Sequence, residues 1–389
     1  MAVPPQPLTL GVEEEYQIID PETRNLRAYV SELITQDTHR PKKLNLKPEL
    51  MQSQVEVGSV ICRNAKEVRG EVLRMRREVI EIADENNLWI AAASTHPFAN
   101  WEDQVITEGT RYRELLDDMQ AVAKQLLIFG MHVHVGFGED QQSRELMIDV
   151  MNQARYFIPH LLALSTSSPF WHGQNTGLKS YRSVIFEAMP RTGIPHSFLS
   201  WNDYKSFETT LERVGSFGKR DKTAKIWWDI RPHPLYGTLE FRITDICTTV
   251  EEAVCLAALF QAICAKLIKL RQQNMSWRRY RHVHITENKW RAVRYGIEGE
   301  LIDFGLEEEV PFTTLMAELL DLLDDVVDDL DSREEVEYVN EILRGGTSAD
   351  RQVRAYLAHG GDNNREEALK AVVDQLVAET KRGVVSSTG

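Results

Sequence analysis

The sequence predicts an α+β protein, with an antiparallel β-sheet forming an active-site floor, helices packed on its other face and a helical C-terminal region. Three observations lead there. Four short segments alternate apolar and polar residues at the period of a strand. Long segments with apolar residues at helical spacing lie between them, and the stretches 311–343 and 349–382 are acidic with apolar pairs at the same spacing.

The first alternating segment, 8–19, places Leu8, Leu10, Val12, Tyr16 and Ile18 on one face. Thr9, Gly11, Glu13, Glu15 and Gln17 fall on the other, and Glu14 is the one charge on the apolar side. A turn at Asp20-Pro-Glu-Thr follows, and 29–45 carries no pattern that assigns it. The second segment, 49–59, turns Val55 and Val57 one way and Gln54 and Glu56 the other, with Glu49 upstream. The spacing of Glu49 and Glu56 puts them on opposite faces of a continuous strand. A helix is expected over 65–87, with Asn64 as its N-cap and Val68, Val72, Met75, Val79 and Ile82 inward. A short buried strand at 88–95 and a helix at 112–125 lead to the third segment, Gly130-Met-His-Val-His-Val-Gly136. There His132 and His134 share the face opposite Met131, Val133 and Val135.

A helix over 143–164 is expected to bend or re-start at Pro159. The stretch 165–177 is rich in turn formers and small hydroxyls and reads as a loop, and an irregular, partly basic region runs on through Arg191. A basic glycine-containing loop occupies 216–222. The fourth segment, Gly237-Thr-Leu-Glu-Phe-Arg-Ile-Thr244, sets Glu240 and Arg242 opposite Leu239, Phe241 and Ile243. A nearly continuous apolar run over 249–271 reads as a buried core helix, and a further helix opens near Thr286 with Lys289, Arg291 and Arg294 near its start. The residues on the four polar faces run from 13 to 242, so most of the chain is expected to fold around one sheet, and 8–382 is read as one catalytic domain with flexible ends at 1–7 and 383–389.

With 389 residues, 42% hydrophobic and 27% charged, the chain can bury a sizeable core. Its net charge of -14 argues against nucleic acid or an anionic membrane as the main partner. No apolar run reads as the roughly 20 residues that span a bilayer. The start has neither the basic nor the apolar region of a signal peptide. Cys62, Cys247, Cys255 and Cys264 show no paired spacing, so a cytoplasmic protein with buried, reduced thiols is expected.

The polar faces decide the chemistry. Two carboxylates about 4 Å apart repel by roughly 4 kcal/mol at an effective dielectric near 20. Glu13, Glu15, Glu56 and Glu240 on one cavity therefore call for cations. A set of oxygen ligands with one imidazole suits Mg²⁺ or Mn²⁺ rather than zinc, and magnesium held this way usually takes substrate phosphates, which points to ATP. Arg242, Lys289, Arg291 and Arg294 suit the neutralisation of phosphoryl charge. Neither G-x-x-x-x-G-K-[ST] nor G-x-G-x-x-G occurs, leaving an ATP site built on an antiparallel sheet.

The runs Gly11-Val-Glu-Glu-Glu-Tyr, Gly130-Met-His-Val-His-Val-Gly, Thr176-Gly-Leu-Lys-Ser-Tyr-Arg, Gly237-Thr-Leu-Glu-Phe-Arg-Ile-Thr-Asp and Glu287-Asn-Lys-Trp-Arg-Ala resemble the carboxylate-amine ligases, also called glutamate–cysteine ligase type 2, over nearly the whole chain. More distantly the chain resembles the glutamine synthetase fold. The resemblance implies metal ligation by Glu13, Glu15, Glu56, His132 and Glu240, with Glu49 the least certain member. It places His134 near the nucleotide phosphates and makes Arg242 the arginine that steadies the phosphoryl group. The implied reaction activates a glutamate side-chain carboxylate as an acyl phosphate and joins it to cysteine or another amine. Tyr181, Arg182, Arg191 and Arg231 are the candidates for the substrate's own charges, with Arg291 a second catalytic candidate. A homodimer fits the resemblance.

Two rival readings remain at this stage. An H-x-H strand also opens the metal site of amidohydrolases, a fold that requires a strand–helix barrel. The acidic helices alone would suit a non-catalytic binding protein.

Overall fold

The alternation of the first segment becomes β1 (Leu10–Ile19), the strand on which the other sheet strands converge. The computed structural model describes residues 8–40, 44, 46–213, 226–233 and 235–384. The segments 216–222, 1–7 and 385–389 therefore lie outside the described residues. After β1 come α1 (Val30–His39), β2 (Lys47–Pro48), β3 (Gln54–Gly58), α2 (Ala65–Asp84) and β4 (Trp89–Ala91). α3 (Thr110–Met119) and α4 (Ala121–Lys124) lead to β5 (Met131–Gly136). α5 (Gln141–Ala154) re-starts as α6 (Ile158–Ser165) through a 3-10 turn at Arg155–Phe157, because Pro159 has no N–H to continue the first helix.

The stretch 165–177 contains the hairpin β6 (Phe170–Trp171) and β7 (Gln174–Asn175), and the region expected to be irregular opens with α7 (Tyr181–Glu187). α8 (Trp201–Arg213), β8 (Ile230–Pro232), β9 (Thr238–Phe241) and α9 (Val250–Gln272) follow. α10 (His282–Tyr295) begins before Thr286, so Lys289, Arg291 and Arg294 sit in its second half rather than at its start. A small hairpin, β10 (Glu300–Asp303) with β11 (Glu308–Pro311), precedes the C-terminal helices α11 (Phe312–Val327), α12 (Arg333–Glu337), α13 (Val339–Gly345), α14 (Ser348–Ala358) and α15 (Arg365–Lys381).

The large sheet runs in the order β2-β3-β1-β5-β9-β8, with β4 paired to the far end of β1. Each of these strand pairs is antiparallel. Its apolar face, with Leu10, Val12, Tyr16, Val55, Val57, Val133 and Phe241, is buried against α2 and α9. The Phe241 ring lies 4.2 Å from that of Phe260 on α9. A capping box starts α9, with Thr249 accepting from Glu252 N and the Glu252 carboxylate accepting from Thr249 N. This helix is long and apolar enough to cross a membrane, contrary to the reading of its run from sequence, but its most apolar window is 78% buried inside the fold. It is the core helix. A second apolar cluster joins Ile19 and Ala91 to Leu369, Val372 and Val373 of α15, so the C-terminal helices close the β4 end.

Glu14 faces the apolar layer and is fully buried. Arg76 of α2 meets it there with two guanidinium donations, and the remaining Arg76 donors reach Thr248 O at 2.6 Å and Cys247 O at 2.8 Å. The Tyr16 hydroxyl also donates to the Glu14 carboxylate. A buried charge pair of this kind is tolerated because its donors and acceptors are satisfied.

Candidate active site

Register assembles the site. Across β1 and β3, Glu15 stands opposite Glu56; across β1 and β5, Glu13 stands opposite His132. Across β5 and β9, His134 stands opposite Glu240, and across β9 and β8, Glu240 stands opposite Arg231. Directly opposed residues project to the same face. The four expected polar faces therefore form one row on one side of one sheet.

Glu49 joins the row, against the expectation from a continuous strand. Residues 47–58 form the short hairpin of β2 and β3, with Lys47 opposite Glu56, and the turn brings the Glu49 carboxylate back over the sheet. Two groups result. Single ligand atoms of Glu15, Glu49 and Glu56 lie within 4.8 Å of one another, and so do those of Glu13, His132 and Glu240.

The two groups differ in electrostatics. Burial, followed by the charge of Glu56, pushes Glu15 up to about 7, although Gly130 N donates to it at 2.6 Å and Gln54 Nε2 at 3.1 Å. Burial and the charges of Glu15 and Glu56 also push Glu49 well above the usual carboxylate range. The second group is better compensated. Burial opposes ionisation of Glu13, but the imidazoles of His132 and His134, 3.4 and 3.8 Å from its Oε2, outweigh it and hold Glu13 well below the usual range. Glu240 is likewise held low, since Arg242 and Arg231 outweigh its burial. Arg231 Nε donates to Glu240 Oε2 at 2.7 Å and Arg242 Nη1 to Glu240 Oε1 at 2.5 Å. Burial, then the charge of Arg242, moves His132 down to about 4, so at neutral pH it offers a neutral imidazole. His134 Nδ1 lies 3.0 Å from Thr238 Oγ1, while its buried Nε2 has no hydrogen-bond partner among the described residues.

These features fit cations. Three carboxylates share a small volume, two of them strained towards protonation, beside a neutral imidazole. The Glu15, Glu49 and Glu56 group is an all-oxygen set suited to a hard divalent ion. The group with His132 adds one nitrogen.

The remaining candidates fall into two sets. Arg231 and Arg242 lie in the row. Arg182 is buried beside it, donating to Ile243 O at 3.3 Å and Arg242 O at 3.1 Å, and an added Cβ at Gly130 would meet its Nη2 at 2.7 Å. Tyr181 packs against Trp171 at 5.7 Å, and the Arg191 guanidinium lies over Trp227. The α10 cations are engaged elsewhere. Lys289 is buried on Asp229 at 2.6 Å and Glu187 at 2.5 Å. Arg291 pairs with Glu287 and Glu309, and Arg294 donates to Gly177 O. None of these contacts is with the row.

Sequence reasoning passed over Lys47, Gln54 and Asp245 as functional residues. Gln54 was visible, since it shares the face of Glu56. Asp245 explains the hydroxyl-rich stretch: it accepts from Ser167 N at 2.9 Å, Ser168 Oγ at 2.7 Å and Ser180 Oγ at 2.8 Å, which pins that segment and the start of α7. The small hydroxyls therefore point inward, which local composition cannot reveal.

The fold and this row define a class: α+β proteins whose antiparallel sheet gathers carboxylates, imidazoles and guanidiniums on one face. The structure superposes on glutamate–cysteine ligase from Francisella tularensis in complex with AMP, with a TM-score of 0.66 at 13% identity, covering 99% of this chain and 91% of that one. It superposes on a bifunctional glutathione synthetase from Pasteurella multocida with a TM-score of 0.65 at 17% identity, covering 96% of this chain and 53% of that one. The glutamate-cysteine ligase family 2 profile matches residues 9–375. A protein of Herpetosiphon aurantiacus named "Putative glutamate--cysteine ligase 2" is 50% identical over 378 residues, 97% of this chain and 94% of its own length. A Chloroflexus aurantiacus protein of the same name is 50% identical over 376 residues, 97% of this chain and 93% of its own. The chain belongs to glutamate–cysteine ligase family 2. It is an ATP-dependent C–N ligase acting on small molecules.

Proposed function

We propose that the row binds ATP with Mg²⁺ or Mn²⁺, that a glutamate side-chain carboxylate attacks the γ-phosphorus, and that cysteine or another amine then displaces phosphate from the acyl phosphate. The observation that carries this reading is the cross-strand register, which sets Glu13 opposite His132, Glu15 opposite Glu56 and His134 opposite Glu240. Glu13, His132 and Glu240 would hold one cation, and Glu15, Glu49 and Glu56 another. When bound, the cations neutralise phosphate charge and act as Lewis acids.

The chain's own residues supply the rest. Arg242 and Arg231, oriented by Glu240, present guanidinium charge to the transferring phosphoryl group. His134 Nε2 offers a donor or acceptor beside the phosphates. Arg182, Tyr181 and Arg191 are assigned to the carboxylates of the substrate; Lys289, Arg291 and Arg294 remain nucleotide candidates, with their acidic partners to be exchanged for phosphate. In the first step a carboxylate oxygen bonds to phosphorus and the β–γ bridging bond breaks, releasing ADP. In the second the neutral amine nitrogen bonds to the acyl carbon and gives up a proton to the departing phosphate or to water, the acyl C–O bond breaks, and phosphate leaves with the former carboxylate oxygen. The amidohydrolase alternative requires a parallel barrel, and the antiparallel pairing of the large sheet removes it.

The test follows that oxygen. Glutamate labelled with ¹⁸O in its side-chain carboxylate is supplied with MgATP and cysteine, and released phosphate is analysed by mass spectrometry. One labelled oxygen per amide formed is expected. Amide accompanied by AMP and pyrophosphate, or by unlabelled phosphate, would refute the acyl-phosphate route.

A further inference from the structure

Lys47 lies between the two carboxylate groups. Its Nζ is 2.7 Å from Glu56 Oε1, in the group with Glu15 and Glu49. The same Nζ is 3.5 Å from Glu13 Oε1, in the group with His132 and Glu240. Its side chain is 54% exposed, whereas that of Glu56 is 10% exposed. A long, flexible side chain thus reaches in from the rim and spends its one charge on both groups. Lys47 stands on the two-residue strand β2, at the edge of the sheet, and its backbone is paired on one side only. Three other cations beside the row are fixed differently: Arg231 and Arg242 are committed to Glu240, and buried Arg182 donates to backbone carbonyls.

We infer that Lys47 is an exchangeable counter-cation, which occupies the space between the two groups in the metal-free protein and is displaced to the rim when divalent cations bind. This rests on the cation sites proposed above. The physical reason is competition. An ammonium on Glu56 Oε1 and Glu13 Oε1 occupies lone pairs of both carboxylates and sets a positive charge beside both groups, so an incoming divalent cation competes with it. Lys47 lowers metal affinity and keeps the metal-free sheet from carrying unshielded like charges. An arginine in its place would hold a carboxylate with two parallel donors and release it less readily.

The experiment needs no turnover. Mn²⁺ binding is titrated by electron paramagnetic resonance without nucleotide, using wild type, Lys47→Met, Lys47→Arg and Glu56→Gln. Lys47 is more than half exposed, so Lys47→Met is expected to fold normally, with circular dichroism as the check. Lys47→Met is expected to bind Mn²⁺ about five- to tenfold more tightly than wild type. Lys47→Arg is expected to bind more weakly than wild type. In wild type, acetylation of Lys47 by acetic anhydride, read by peptide mass spectrometry, is expected to rise when Mg²⁺ is added. Unchanged or weaker Mn²⁺ binding by Lys47→Met would overturn the inference, as would unchanged Lys47 acetylation in saturating Mg²⁺. A different result marks failure of the underlying sites: wild type and Glu56→Gln binding Mn²⁺ equally poorly.

Discussion

Glu14 and Glu15 are consecutive on β1 and meet opposite environments. Glu14 turns into the apolar layer, where Arg76 and the Tyr16 hydroxyl satisfy it. Glu15 turns to the polar face, where its nearest charges include Glu56 and Glu49. Burial alone therefore does not mark a functional carboxylate. A buried acid whose charge is fully answered within the fold is structural; clustered acids that share one exposed lysine between two groups await a ligand. Glu240 combines both conditions, since it joins a candidate cation group and also orients Arg231 and Arg242.

Substitutions at Glu240, at Glu15 and at Arg76, the partner of Glu14, can break that distinction. The largest effect is expected at Glu240. Glu240→Gln removes a proposed ligand and the anchor of two arginines, and a kcat loss of at least about 100-fold is expected. Near-normal turnover would remove Glu240 from the site. Arg76→Met comes next, acting on stability. Leaving Glu14 buried without its partner is expected to cost about 3–5 kcal/mol in urea unfolding, with Mn²⁺ affinity in the surviving folded protein unchanged. A cost below about 1 kcal/mol would show that Glu14 is not held as argued.

Glu15→Gln should have the smallest effect on stability and the opposite sign. The folded-state value near 7 lies above the ordinary 4.5, so the folded protein holds a proton that the unfolded chain releases. Metal-free stability contributed by this group is full below about pH 4.5, falls as pH rises towards 7, and stays low above it. Glu15→Gln is therefore expected to be more stable than wild type by about 3 kcal/mol at pH 8 in chelator, and the difference should close below pH 4.5. Denaturant titrations across pH check this. A less stable variant at pH 8 would mean that Glu15 is compensated as Glu14 is.

The polar row was legible because strand alternation is local: Glu13 with Glu15, His132 with His134, and Glu240 with Arg242 each declare a face within a few residues. Glu49 was not, because its approach depends on a tight reversal between β2 and β3 that breaks strict alternation. Lys47 was hidden for the same reason. Arg76 looked like one of many charges on α2, and only its burial against β1 gives it a role. In the α10 cluster the partners were the hidden part. Spacing grouped Lys289, Arg291 and Arg294, but their partners Asp229, Glu187, Glu309 and Gly177 come from distant segments. α1 escaped because its N-cap Tyr29 makes no capping side-chain bond, and α10 was placed late because its first turn lacks one too.

The sheet order also dictates when the site can exist during synthesis. β1, β2 and β3 carry Glu13, Glu15, Glu49 and Glu56 and leave the ribosome early, whereas Arg182, Arg231 and Arg242 emerge much later. Such long-range pairings form slowly, because distant loops must close before contacts form. The nascent chain thus holds acidic strands whose buried guanidiniums have not yet been made, and ordered closure of this face awaits β9. The complete row thus draws on strands from distant parts of the chain, and Arg231 and Arg242, with Glu240 between them in the chain, are the last of its charges to be joined to it.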